Sequence, residues 1–188
     1  SASNMIAKWY QNAARPPPAA AVTIREPPKA RRAAPPVWAT QAIALRGVRA
    51  INIGIVPEPR AGSVGIIGMP TWMWAQNPDQ STWGPVTKSA SAGGFTVTAT
   101  ANVDQVVWAM GDGSTVACAG PGTAYQDSFG KTSSPSCGHT YTRQGAYTVR
   151  ATSHWIVRWA GVGQSGTIPL DFTQTTNITM GEAQVLIQ

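Results

Sequence analysis

Phe95–Ala101 reads FTVTATA, Gln105–Met110 reads QVVWAM, and Gly111–Ser114 reads GDGS. The first run alternates apolar residues with Thr, the period-two pattern of a half-buried strand. Gly93-Gly94 supplies a turn before it, and the second run reads as the next strand. The GDGS tetrapeptide then turns the chain sharply, and Thr115–Cys118 returns.

The same grammar extends in both directions. Pro70–Ala75 (PTWMWA) places Trp72 and Trp74 two apart, on one side of a strand. Asn77-Pro78-Asp79 signals a turn, and Trp83-Gly84-Pro85 closes that corner. Beyond Cys118 a long Gly/Ser/Pro/Thr loop runs to Cys137. Tyr147–Ala160 predicts one long strand, or two joined by a bulge. Gly161–Gly166 is a turn, and Thr167–Thr179 and Glu182–Ile187 complete about seven strands. Nothing after residue 62 predicts a helix. The expected fold is an all-β antiparallel sandwich.

Residues 1–61 differ in character. Nine of the fifteen prolines fall in residues 1–60, together with nine Lys/Arg against Glu26 and Glu58. The remainder of the chain holds five basic and six acidic residues, so the net charge of +6 belongs to the N-terminal third. Runs such as Pro16-Pro17-Pro18 and Pro35-Pro36 favour extended or polyproline II geometry. The expected organisation is therefore a basic, proline-rich arm over 1–61 and a sandwich over 62–188. Short apolar insertions, among them Met5–Tyr10, Val37-Trp38 and Ile51–Val56, read as anchors. Trp9, Tyr10 and Trp38, with Arg31 and Arg32, are candidate partner-binding residues, as are Trp72 and Trp74 on the sandwich. A basic arm also attracts polyanions, so nucleic acid or an anionic envelope polymer is the alternative ligand.

Three segments resemble the PKD-like (polycystic kidney disease) domain family. Trp108-Ala109-Met110-Gly111-Asp112-Gly113 is similar to its W-x-F-G-D-G turn, with Met at the aromatic position. His139-Thr140-Tyr141 resembles its H-x-Y. Gly145-Ala146-Tyr147-Thr148-Val149 resembles its G-x-Y-x-V strand. Gly68–Trp74, Thr82–Pro85 and Gly181–Val185 are similar to poorly characterised actinobacterial exported proteins that carry one such module. The resemblance implies an immunoglobulin-like sandwich used for protein or glycan contact at cell surfaces, or as a spacer, without enzyme activity.

The motif residues also have physical roles of their own. Gly111 and Gly113 suit positive φ, and Asp112 suits acceptance of N–H groups across a turn. Trp108 and Tyr147 suit strand positions. Tyr141 is expected to bury its ring and send its hydroxyl to backbone, with His139 a hydrogen-bonded structural histidine.

Cys118 and Cys137 flank the long loop. A bridge there would contribute roughly 3 kcal/mol on the chain-entropy account and implies an oxidising, extracytoplasmic compartment. A metal site or free thiols are the alternatives. Gly130-Lys131-Thr132 imitates the end of a phosphate-binding loop, but Tyr125 stands where the pattern needs Gly, and Ser133–Cys137 cannot open a helix, so no nucleotide is expected. With two histidines and scattered acids, no catalytic set assembles. No cofactor is expected. Calcium on Asp112 with Asp104 or Asp127 and loop carbonyls is a second metal alternative. No apolar run is long enough to span a membrane. Ser1-Ala2-Ser3-Asn4 fits a processed terminus or a cloning remnant, so an upstream leader or anchor stays an open question.

Overall fold

A computed structural model of the protein describes residues 47–92 and 94–183. They form two sheets, with nine strands and one turn of 3-10 helix at Asp127–Phe129. The strands are β1 (Ile53–Val56), β2 (Gly65–Ile66), β3 (Pro70–Ala75), β4 (Val86–Ala92), β5 (Phe95–Ala109), β6 (Thr115–Cys118), β7 (Gly138–Thr140), β8 (Gly145–Gly161) and β9 (Gln164–Gly181). The fold is all-β, as the alternating pattern predicts.

The small sheet has the order β1-β3-β7. The large sheet runs β2-β9-β8-β5-β4, with β6 beside the second half of β5. All pairings are antiparallel except β2 with β9. β8 and β9 stay in unbroken register from Gly145↔Met180 to Gly161↔Gln164. β5 spans both runs expected as separate strands. Its pairing with β8 shifts register between Val103 and Gln105, so Asp104 is a bulge. Val97, Ala99, Ala101 and Val103 are buried before it, and Val106 and Trp108 after it. The extra residue changes parity once, which keeps both apolar series on one face of the sheet.

That face packs against Ile55, Met73 and Ala75 of the small sheet. Trp108, Trp155, Tyr141, Met110 and Val149 fill the space between, all at most 1% exposed. On the edge of β5, β4 covers one half and β6 the other. The gap is closed by the 79–84 corner, where the Val103 N–H donates to Trp83 O at 2.9 Å. Asp79 organises that corner. Its carboxylate accepts from Ser81 N and Oγ and from Thr82 N, at 2.7–2.9 Å. The Ser81 hydroxyl first, then the Thr82 N–H, hold its pKa down to about 2.

Two expectations are corrected. The sandwich starts before residue 62: Val48, Ile51 and Ile55 are buried, and β1 pairs with β3 from Ile53↔Ala75 to Val56↔Trp72. Ile51–Val56 is core because alternate residues reach the inner face, although the prolines around it have the composition of an arm. Glu182 and Ala183 continue no strand, and the rest of the expected Glu182–Ile187 strand lies outside the described residues.

The β8–β9 turn is only two residues, Val162-Gly163, with φ of 55° and 74°. A β-branched residue in the left-handed region is strained, and Asn-Gly is the favoured pair for such a turn. Val162→Asn should raise stability by about 1 kcal/mol, read from the urea midpoint at unchanged slope.

Candidate functional site

Sequence-singled residues converge at one end of the sandwich. At the GDGS turn, the Asp112 carboxylate accepts from the Ser114 N–H at 2.9 Å and from its hydroxyl at 2.5 Å. The other carboxylate oxygen accepts from His139 Nε2 at 2.8 Å. Gly111 sits at φ 83°, where a Cβ would also come within 2.8 Å of Thr148 O, so both the conformation and the closeness to β8 require glycine. Gly113 has φ 94°.

The Tyr141 hydroxyl donates to Met110 O at 2.7 Å, tying the loop before β8 to the end of β5. Its ring stands edge-on to His139 at 4.6 Å and tilted against Tyr147 at 4.4 Å. The Tyr147 hydroxyl donates to Arg143 O at 2.7 Å, across the turn that leads through Gly145 into β8. Burial first, then the Asp112 charge, push the Tyr141 phenol above its ordinary range. Partial burial raises Asp112, but the Ser114 hydroxyl and N–H and the His139 ring outweigh it, so its pKa is lowered. The cluster is a structural clamp. Its carboxylate is held by Ser114 and His139. Among the described residues, no three His, Cys, Asp or Glu side chains are grouped to hold a metal.

Cys118 and Cys137 are bonded, with Cα atoms 5.8 Å apart. The enclosed loop lies along β3: the Met73 N–H donates to Cys137 O at 3.0 Å and the Ala75 N–H to Pro121 O at 2.6 Å. Gly122, at φ 81°, fits there because a Cβ would meet Met73 O at 2.6 Å. A second staple is aromatic. The Trp72 ring stacks on Phe129 at 5.3 Å and meets Tyr125 edge-on at 5.4 Å, and its Nε1 donates to Thr132 O at 2.8 Å.

Trp72 is therefore not the surface anchor expected of it. It is 3% exposed because the loop folds over it. Trp74 is half-buried, with Nε1 donating to Gln76 at 2.6 Å. No described tryptophan is exposed, so none forms an open aromatic patch among the described residues. Trp9, Tyr10, Arg31, Arg32 and Trp38 lie outside the described residues. Gly130-Lys131-Thr132 follows the 3-10 turn with Lys131 exposed.

A cavity of about 510 Å³ opens where the two sheets meet β2 and the disulfide loop. Val56, Pro57, Met69 and Met180 form apolar walls, with Val64 and Ile66 on the β2 side. Asp127 and Lys131 reach it from the loop, and Glu58 from beyond β1. Thr71 lines it too, and its fully buried hydroxyl has no hydrogen-bond partner among the described residues. Motif reading missed this cavity, since it is built from five separate segments. The apolar, small-residue run Gly62–Gly68 contributes residues 63–66 of the lining.

Comparison of the chain with protein-family models, curated proteins and solved structures gave no match.

Because the folded pKa of Asp112 is depressed, its contribution to stability is full above the ordinary value of 3.8 and is lost as pH falls through the lower folded value. Asp112→Asn should cost roughly 1–2 kcal/mol above pH ~5, and this gap to wild type should close on acidification. Urea titrations at both pH values check this.

Proposed function

We propose that this chain is a non-catalytic interaction module of a secreted or cell-envelope protein. Its PKD-like sandwich is a rigid head, and the basic, proline-rich N-terminal segment docks onto a protein partner.

The observation that carries this reading is the employment of the polar groups. Asp112 and His139 hold a turn, Asp79 holds a corner, and His154 meets Asp171 at 2.7 Å across the outer face of β8–β9. A catalytic acid or base has to face a substrate pocket, and these groups face their own backbone turns or the flat side of a sheet. The positive charge, by contrast, is concentrated in a segment rich in proline and aromatic anchors. The disulfide supports an oxidising compartment. No described helix is long and apolar enough to cross a membrane. The Trp108–Gly113, His139–Tyr141 and Gly145–Val149 segments support the family reading.

The +7 carried by residues 1–60 favours a second reading, a polyanion ligand. The two separate by salt. Protein docking through Trp9, Tyr10 and Trp38 should persist from roughly 0.05 to 0.2 M salt, whereas phosphate- or sulfate-driven binding falls by orders of magnitude. In affinity capture by the oxidised 188-residue chain, Trp38→Ala should weaken partner retention about tenfold or more. Binding to immobilised heparin, lost on Arg31→Ala/Arg32→Ala and steeply salt-dependent, would favour the polyanion. Retention unchanged by all of these substitutions contradicts both.

A further inference from the structure

β4 ends the large sheet. It pairs with β5 on one side, and among the described residues no strand lies along the other. At seven residues it is the longest edge strand described. Its sequence, VTKSASA, holds no proline, and its pairing runs without a bulge from Val86↔Ala101 to Ala92↔Phe95. Prolines, bulges and charges are the devices that close an edge to a further strand, and here only Lys88 is left.

The phase of the ladder fixes which groups the open edge offers. Two residues, Gly93-Gly94, separate Ala92 from Phe95. The pair that closes such a hairpin is hydrogen-bonded, and bonded pairs recur at every second position. Val86, Lys88, Ala90 and Ala92 therefore bond to β5, and the N–H and C=O groups of Thr87, Ser89 and Ser91 point to the open side. The two-residue β8–β9 turn gives the same phase independently. Counting from Gly161↔Gln164 across β8 and β5 leaves Val97, Ala99 and Ala101 bonded to β4.

The side chains of Thr87, Ser89 and Ser91 lie on the outer face, where their hydroxyls pair with Thr100, Thr98 and Thr96 at 2.8 Å. A hydroxyl has one donor and two lone pairs, so each can also bond on its far side.

That pattern is self-complementary. Ser89 is the midpoint of Val86–Ala92. A two-fold axis through it aligns the whole strand antiparallel with a second copy: Ser89 faces Ser89, Thr87 faces Ser91 and Val86 faces Ala92. The outward-pointing groups then meet as bonded pairs, giving about six backbone hydrogen bonds, two for each facing pair. The hydroxyl rungs extend across four strands, Thr98–Ser89–Ser89–Thr98 in the middle one. Lys88 faces Ala90, so the two ammonium groups are not opposed. An axis at Lys88 would set them face to face, and a one-residue slip would put inner side chains against the hydroxyl row. The register that pairs every residue is thus also free of a facing like-charge pair.

We infer that the β4 edge is a homodimer interface, in which two copies join their large sheets through antiparallel β4 strands centred on Ser89. This goes beyond the reading as an interaction module. It involves none of residues 1–46, so failure of arm docking and failure of this interface are separate outcomes.

The test is sedimentation equilibrium of the oxidised 188-residue chain, with amide exchange followed by NMR over the same concentrations. The mass should rise with concentration from 19.7 kDa towards twice that value. The Thr87, Ser89 and Ser91 amides should exchange about tenfold more slowly or better as the dimer fills. Ser89→Pro removes an N–H that the β4–β5 ladder does not use, so it should stay folded and monomeric. Ser89→Lys and Ser89→Glu each set like charges across the axis and should also be monomeric, whereas an equimolar mixture of those two variants should dimerise. A wild-type mass of 19.7 kDa at every concentration overturns the inference. So does a dimer that survives both Ser89→Pro and Ser89→Lys, because the contact then lies elsewhere. Failure of the two charged variants to pair with each other overturns the register centred on Ser89.

Discussion

One extra residue governs the large sheet. Side chains on a strand alternate with period two, so a strand of fifteen residues holds one face only if its apolar residues keep one parity. In β5 they do not: the buried set is odd-numbered through Val103 and even-numbered from Val106. β8 keeps odd parity throughout, with Val149, Ala151, Ser153, Trp155 and Val157 all buried. The two strands can pair along their whole length with both cores inward only because Asp104 is left out of the ladder. Its position on the edge side is where β4 ends, β6 has yet to begin, and the Asp79 corner fills the gap.

The consequences of that register are local. With Trp108 inward, Met110 reaches the core and its carbonyl meets the Tyr141 hydroxyl, which fixes the GDGS turn against β8. The β6 return sets Cys118 opposite Cys137, and the closed loop folds onto Trp72. The same loop then supplies the Asp127–Lys131 rim of the cavity at the β2 edge. The stapled loop is thus one wall of the cavity. Its loop side rests on a disulfide and an aromatic stack, and its other walls come from the strands and the segments beside them.

Much of this was legible in the sequence, for physical reasons. FTVTATA announces a strand because Thr and small apolar residues alternate without interruption, and GDGS announces a turn because its glycines occupy positive φ. Cys118 and Cys137 bracket a loop too poor in apolar residues to hold itself. The joining of the two runs into β5 was less visible, because a parity change reads as readily as a strand break. β1 was hidden among prolines, and β4 (VTKSASA) has too little apolar content to signal itself. Its support is instead cross-strand: Thr87–Thr100, Ser89–Thr98 and Ser91–Thr96 pair their hydroxyls at 2.8 Å. Trp72 reads as a surface anchor from sequence because spacing assigns a face but says nothing of a loop that covers it. The cavity depends on the juxtaposition of distant segments, which no local pattern encodes.

Asp104 acts through its place in the backbone and not through its carboxylate. Deleting Asp104 forces either Val97–Val103 or Val106–Met110 onto the solvent face, whereas Asp104→Ala keeps the bulge. The direct measurement is a urea unfolding curve of each variant with the disulfide intact. Asp104→Ala should stay within about 0.5 kcal/mol of wild type, while the deletion should lose more than about 4 kcal/mol or the cooperative transition altogether. A deletion variant that unfolds cooperatively with near-wild-type stability would contradict this.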